Sequence, residues 1–177
     1  MDRTRLQNGQ SLVEFAISSI VLVLLFGGLV DLSRAIQFSD VLHNSAREGA
    51  RTGAWFSEAD PTKPNPHLND TDIKTAVDRE LVAGGLPGSV LENSVTLGTC
   101  PLSVTDGNSQ SNPPYATSNF PGTVNQPWLY ICKTVGTPAD LNVAVLMTYG
   151  PLTGFLPTGS VLGGFPIATN WHLKVQR

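Results

Sequence analysis

The stretch "GQSLVEFAISSIVLVLLFGGLV", from Gly9 to Val30, determines the architecture of this chain. Between Ser11 and Val30, Glu14 is the only charged residue. A helix that crosses a bilayer needs roughly 20 mostly apolar residues, with a usual range of about 17–25. The sequence therefore predicts a membrane-spanning helix over residues 11–30.

The charges that flank this run predict its orientation. Arg3 and Arg5 precede the run, whereas Asp31 and Arg34 cancel each other just after it. The positive-inside rule then places the N-terminus in the cytoplasm and the rest of the chain outside it. A secretory signal peptide is the competing interpretation, but its apolar region is usually only about 7–15 residues long and ends at a small-residue cleavage site. No such site follows Val30.

The helical pattern continues beyond the apolar run. Apolar residues recur at spacings of three and four through residues 31–54, with polar residues on the other faces, which predicts an amphipathic continuation of the same helix. The far end of this helix is rich in Gly and Ala, and small residues allow another element to approach closely. We therefore expect one N-terminal helix over residues 10–54.

The remaining residues, 55–177, are predicted to form an extracytoplasmic domain. A second helix is expected in "DTDIKTAVDRELVAGG", capped by Asp70 or Thr71 and ended by the two glycines. Four later stretches alternate with a period of two, which predicts a sheet with one buried and one solvated face. The expected fold class is α+β, with the long helix packed on a small antiparallel sheet of about four strands and one further short helix.

Two segments of this domain suggest contacts. Cys100 and Cys132 are the only cysteines, and in an oxidising compartment they most simply form one disulfide at the base of the loop 101–127. Such a bridge stabilises by about 3–4 kcal/mol in the chain-entropy model. The segment 150–165 is apolar as well as rich in Gly and Pro, so it either contacts a membrane or partner or folds back over the core.

Composition argues against several function classes. The net charge is −3 with only 11 Lys and Arg residues, so no basic surface is expected to attract nucleic acid. The three histidines do not occur in metal-binding motifs, and the chain has no phosphate-binding loop or nucleophile elbow. We expect no enzymatic activity, no cofactor and no metal site.

The position of Glu14 resembles that of the glutamate in the type IV prepilin signal. In that signal a membrane peptidase cuts after a glycine and leaves glutamate as the fifth mature residue, which is Glu14 if the cut follows Gly9. A charge near lipid is costly without a partner. The ammonium group newly formed on Gln10 of one subunit would provide that partner for Glu14 of a neighbour. The alternative is that Glu14 reaches the cytoplasmic interface alone.

The wider segment "GQSLVEFAISS…NSAREGARTGA", residues 9–54, resembles the TadE-like family of minor pilins (pseudopilins) from tight-adherence, or Flp, pilus systems. The resemblance implies a prepilin-type leader at residues 1–9, cleavage between Gly9 and Gln10, and retention in the inner membrane as a single-pass protein. It also implies assembly with other pilin subunits and the pilus assembly platform, for which Glu14 and Phe15 are the expected assembly residues. A priming or tip complex is among the implied locations.

Arg47, Glu48 and Arg51 are a further candidate contact. Arg47 and Arg51 are four residues apart and share a helix face, with Glu48 beside them. This group is either a solvated surface or a polar contact to the domain or to another subunit. The alternative function is an uncleaved single-pass anchor that displays a binding module, in which the loop 101–127 contacts a ligand.

Overall fold

A computed structural model describes residues 3–55, 65–96, 120–133, 139–153 and 164–175 of the chain. Within these ranges the predicted α+β class is confirmed: a long N-terminal apolar helix, a second short helix and a four-stranded sheet. The elements in chain order are α1 (Arg3–Ala54), α2 (Asp70–Ala83), β1 (Val90–Thr96), β2 (Trp128–Lys133), β3 (Ala139–Tyr149) and β4 (Phe165–Val175).

Helix α1 has 52 residues, which corresponds to about 78 Å at 1.5 Å per residue. It begins at Arg3, earlier than the predicted start at Gln10, and it ends at Ala54 as expected. Its apolar part is long and apolar enough to cross a membrane, and none of that part is buried against the rest of the protein. Burial by the domain begins at Asp31.

Helix α2 is capped one residue earlier than predicted. Asn69 has extended backbone angles and its side-chain oxygen accepts a hydrogen bond from the backbone N–H of Asp72 at 2.8 Å. Neither Asp70 nor Thr71 is therefore the N-cap, because both already lie within the helix. Gly84 ends the helix, and Gly85 has a φ of +82°, a conformation that favours glycine.

The sheet has the strand order β1-β2-β3-β4. The pairs β2–β3 and β3–β4 are antiparallel, as expected, but β1 pairs parallel with β2. The wholly antiparallel sheet predicted from the alternation was therefore wrong at this edge, and the sheet is mixed. Residues 97–127 separate the two parallel strands, which exceeds the dozen or so residues that a parallel connection needs.

One face of the sheet packs against both helices. Gly49 and Gly53 of α1 lie at this contact, because a Cβ atom on Gly49 would lie 2.5 Å from Val77 and one on Gly53 would lie 2.6 Å from Leu141. The small residues thus let α1 approach α2 and β3 closely. The core on this face includes Phe38, Leu42, Ala46, Ala50, Ile73, Val77, Leu81, Leu141, Val143, Val145, Met147 and Tyr149.

The other face is covered over β2 and β3, so the prediction of a solvated face was wrong there, whereas β4 is mostly half-buried and Lys174 is exposed. Phe120 and Tyr130 form a second buried cluster there with Leu146. The side chain of His172 on β4 is only 15% exposed, and its Nε2 lies 3.3 Å from Asp140 Oδ1. Alternation of polar and apolar residues did not reveal this, because a segment distant in the sequence covers the more polar face.

Candidate membrane and assembly surface

The predicted processing and assembly residues lie near the start of α1. Gly9 and Gln10 are helical, and Gln10, Glu14 and Phe15 are exposed. Gln10 Nε2 donates a long hydrogen bond of 3.5 Å to Glu14 Oε1. The domain of the same chain does not cover these side chains, so they are available to lipid or to another subunit.

The apolar surface that follows is continuous. Every Leu, Ile, Val and Phe side chain between Leu12 and Val30 is exposed. Monomeric soluble proteins rarely expose an apolar patch larger than a few hundred Å². This surface therefore needs a cover that the rest of the chain does not provide, and its length fits a membrane anchor.

Asp31 forms the junction between this exposed helix and the domain. Its side chain is fully buried and accepts hydrogen bonds from the backbone N–H of Leu152 at 2.8 Å and from that of Thr153 at 3.3 Å. The Thr153 hydroxyl also donates to Asp31 Oδ2. The hydroxyl of Tyr149 donates to the backbone carbonyl of Asp31 at 3.1 Å. One residue of α1 thus holds both the end of β3 and the loop that follows it.

The hydrogen bonds explain how a carboxylate is tolerated at this position. The Thr153 hydroxyl contributes most to lowering the pKa of Asp31 below its ordinary value, while desolvation opposes it and the two backbone N–H groups add to it. From the sequence, Asp31 is expected to cancel the charge of Arg34 and to lie among the polar residues on the outer faces of the helix; the second prediction was wrong, because Asp31 is buried. A usable signal was present, because Asp31 precedes Phe38 by seven residues and Phe38 precedes Leu42 by four, spacings that place all three on one helical face.

Aromatic contacts extend this junction along α1. The guanidinium carbon of Arg34 lies 5.6 Å from the ring centroid of Phe38, and the rings of Phe38 and Tyr149 meet edge to face at 5.8 Å. Both kinds of contact are favourable. The first turns of α1 beyond the span are therefore packed firmly against the end of β3.

The charged group near the end of α1 joins two helices. Arg51 donates two hydrogen bonds to Glu48, at 2.9 and 2.7 Å, and Arg79 of α2 donates to the same carboxylate at 3.1 Å. The hydrogen bond from Arg51 is the main cause that holds the pKa of Glu48 below its ordinary value. Glu48 thus contacts α2 at the surface of the domain, and Arg51 pairs with Glu48 within α1.

Arg47 has a different neighbour from Glu48 and Arg51. Its guanidinium carbon lies 5.7 Å from the ring centroid of Trp171 on β4. His43, one turn earlier, packs against the same ring with the two ring planes tilted by 58° and their centroids 5.1 Å apart, and its Nδ1 lies 3.3 Å from the hydroxyl of Thr169. The three residues grouped in the sequence therefore have different neighbours. Arg47 contacts the sheet edge, Glu48 contacts α2, and Arg51 pairs with Glu48 within α1.

The structure describes only part of the predicted disulfide and of the long loop that it would close. Cys132 is buried in β2, whereas Cys100 and residues 101–119 of the long loop lie outside the described residues, so the disulfide stays a prediction. Within the described ranges, no group of three or more His, Cys, Asp or Glu side chains is arranged to hold a metal ion.

Comparison with known proteins identifies the N-terminal region. A family model described as "TadE-like protein" matches residues 9–51, which is α1 from the predicted cleavage glycine to Arg51. No curated protein and no solved structure matches the chain significantly. The resemblance to the TadE-like family, a group of Tad pilus-associated proteins, is thus confirmed over residues 9–51 of this chain.

Proposed function

We propose that the protein is a minor pilin (pseudopilin) of a tight-adherence pilus, cut by a prepilin peptidase after Gly9 and assembled through α1. One observation carries the proposal. The TadE-like segment presents its entire apolar helix uncovered by the domain, and a single carboxylate, Glu14, lies at the fifth position after Gly9. A helix that only anchors a domain also needs the uncovered apolar surface, but it does not need a carboxylate at this position, where a charge near lipid is costly.

The proposed topology follows from the flanking charges. Residues 1–9 are the cytoplasmic leader, residues 11–30 cross the inner membrane, and residues 55–177 lie outside the cytoplasm. In that oxidising compartment Cys100 and Cys132 form a disulfide. The protein acts structurally rather than as an enzyme, and its partners are other pilin subunits and the assembly platform.

Glu14 gives the assembly its register. After cleavage, the α-ammonium of Gln10 and the carboxylate of Glu14 are opposite charges at the edge of a low-dielectric region, where an unpaired charge is costly. Pairing between neighbouring subunits compensates both charges, and it does so only at one relative height of the two helices.

The first test is the N-terminal residue of the membrane-extracted protein, measured by mass spectrometry with and without a co-expressed prepilin peptidase. We expect a chain that starts at Gln10 only when the peptidase is present. Gly9→Val should remain uncut. Gly28→Val is the matched control, since a Cβ atom at Gly28 meets no other atom within 4 Å, and it should be cut normally.

The opposite result would support a different function. If the wild-type chain still starts at Met1 while another prepilin in the same cells is cut, cleavage is excluded. The protein would then be an uncleaved anchor that displays a binding module.

A second test concerns assembly after cleavage. Glu14→Gln should still be cut after Gly9 but should no longer co-purify with partner pilins. Glu92→Gln, at an exposed glutamate of β1, is the control and should co-purify normally. Equal recovery of the two variants would rule out the proposed role of Glu14.

A further inference from the structure

The turn formed by residues 150–153 lies beside the end of the membrane span. Its position is set by Asp31, the residue that follows the 20-residue apolar run, because the backbone nitrogen of Leu152 is 2.8 Å from the Asp31 carboxylate. A hydrocarbon core about 30 Å thick corresponds to about 20 helical residues, and the headgroup layers bring the total to about 40–45 Å. The turn therefore lies at the depth of the headgroup layer when residues 11–30 span the membrane.

The backbone donors of this turn are all hydrogen-bonded within the protein. The N–H of Gly150 donates to Asn125 Oδ1 at 3.1 Å, Pro151 has no N–H, and the N–H groups of Leu152 and Thr153 donate to Asp31. Irregular backbone is costly near lipid because its polar groups lack water as a partner. The backbone N–H groups of this turn already have hydrogen-bond partners within the protein, so they do not need water.

The side chain at the centre of the turn is apolar and uncovered. Leu152 is 66% exposed, although the backbone N–H groups of the turn are hydrogen-bonded to other residues of the protein. On α1, Leu29 and Leu32 are exposed at nearly the same height. Exposed apolar side chains of the turn and of α1 thus lie at about the same depth, next to the residue that marks the membrane boundary.

We infer that the turn 150–153 is a second membrane contact, in which Leu152 enters the boundary between headgroups and acyl chains while Asp31 holds the turn in place. This contact would fix the height and tilt of the domain above the bilayer. The inference rests on the membrane anchoring in the proposed function, and its test separates the two.

The test uses tryptophan fluorescence of the full chain reconstituted in vesicles whose acyl chains carry bromine, a contact quencher. Three variants are compared, each after subtraction of the signal of the parent protein. Leu152→Trp reports the turn and Phe26→Trp reports the span. Val82→Trp reports an exposed site on α2 of similar exposure, 61%. Val82 is two residues before Gly84, which lies beside Val41 of α1 and so about 15 Å beyond Asp31 along the helix.

We expect strong quenching for Phe26→Trp, none for Val82→Trp, and loss of about half of the added emission for Leu152→Trp, as for a side chain at the headgroup–acyl boundary. Adding Asp31→Ala to Leu152→Trp should reduce the quenching, because the turn loses its attachment to α1. Thermal unfolding of each variant confirms that the domain remains folded.

Three results would overturn parts of this picture. If Phe26→Trp is quenched and Leu152→Trp is not, the membrane anchor stands and the contact by the turn is refuted. If Phe26→Trp is not quenched either, the membrane anchoring itself is wrong. Quenching of Leu152→Trp that persists unchanged with Asp31→Ala would refute the positioning role of Asp31.

Discussion

The two halves of α1 face different surroundings although they form one continuous helix. Between Leu12 and Val30 every large apolar side chain is exposed, whereas from Asp31 onward one face is buried against α2 and the sheet. The first half depends on lipid or partner subunits for its cover, and the second half depends on its own domain. A mutation should therefore affect folding or assembly according to the half in which it lies.

The largest expected difference comes from removing a leucine in each half. Leu42 is fully buried and Leu22 is 61% exposed. Leu42→Ala should lower the free energy of unfolding of the domain by about 2–5 kcal/mol, because it leaves a cavity in the core. Leu22→Ala should leave that free energy unchanged. Chemical denaturation in detergent, followed by near-ultraviolet circular dichroism, measures both, and equal effects would contradict the division of α1.

A glycine in each half gives the next comparison. Gly53 lies against Leu141 and Ile73, whereas Gly28 has open space around it. Gly53→Leu should destabilise the domain by about 1–3 kcal/mol, because the added side chain overpacks the contact with α2 and β3. Gly28→Leu adds apolar surface to the span and should not change domain stability. The same denaturation experiment reports both, and a harmless Gly53→Leu would show that α1 is not closely packed there.

The junction between the halves should respond to acid. The pKa of Asp31 is lowered in the folded protein from an ordinary value of 3.8, chiefly by the Thr153 hydroxyl. Its ionised form therefore stabilises the fold above that value, and this stabilisation is lost as the pH falls through the lowered pKa. Asp31→Asn should be less stable than the parent at neutral pH and should lose less stability on acidification.

The control for this experiment is Asp40→Asn, at an exposed aspartate of α1. Thermal unfolding measured from neutral pH to below the ordinary carboxyl pKa gives the comparison. If Asp31→Asn and Asp40→Asn have the same acid profile, the hydrogen bonds to Asp31 do not stabilise the junction.

The smallest effect is expected at the surface pair between the two helices. Arg79 is 66% exposed and donates to Glu48, which also pairs with Arg51. Arg79→Ala should cost at most about 1 kcal/mol, because exposed ion pairs are screened by water and salt. The loss should shrink further in high salt. A larger and salt-independent loss in thermal unfolding would show that Arg79 contributes through packing instead.

Some features of this protein follow from local patterns in the sequence. The apolar run predicts the span because its length matches the bilayer, and the spacing of Leu42, Ala46 and Ala50 predicts the face of α1 that is buried. The stripe of Ile73, Val77 and Leu81 similarly predicts α2, and all three are buried there. Each of these patterns depends on neighbours within a few turns of one helix.

The residues of the candidate site that belong to a local motif were predicted from the sequence, whereas the one whose partners are distant along the chain was not. Gly9, Gln10 and Glu14 belong to one short motif, and the family match covers them. Asp31 was missed because its partners, Leu152 and Thr153, lie more than 100 residues away along the chain. Nothing in the sequence around Asp31 specifies those donors.

The sequence by itself therefore determines the elements that the structure describes: a helix long and apolar enough to cross a membrane, a second amphipathic helix and, in the described ranges, four strands. Only the tertiary structure decides the parallel pairing of β1, the cover on the second face of the sheet and the attachment of the turn 150–153 to Asp31. The physical reason is that hydropathy and periodicity act between near neighbours. Strand direction, burial of a polar face and the pairing of a buried carboxylate depend instead on which distant segments meet.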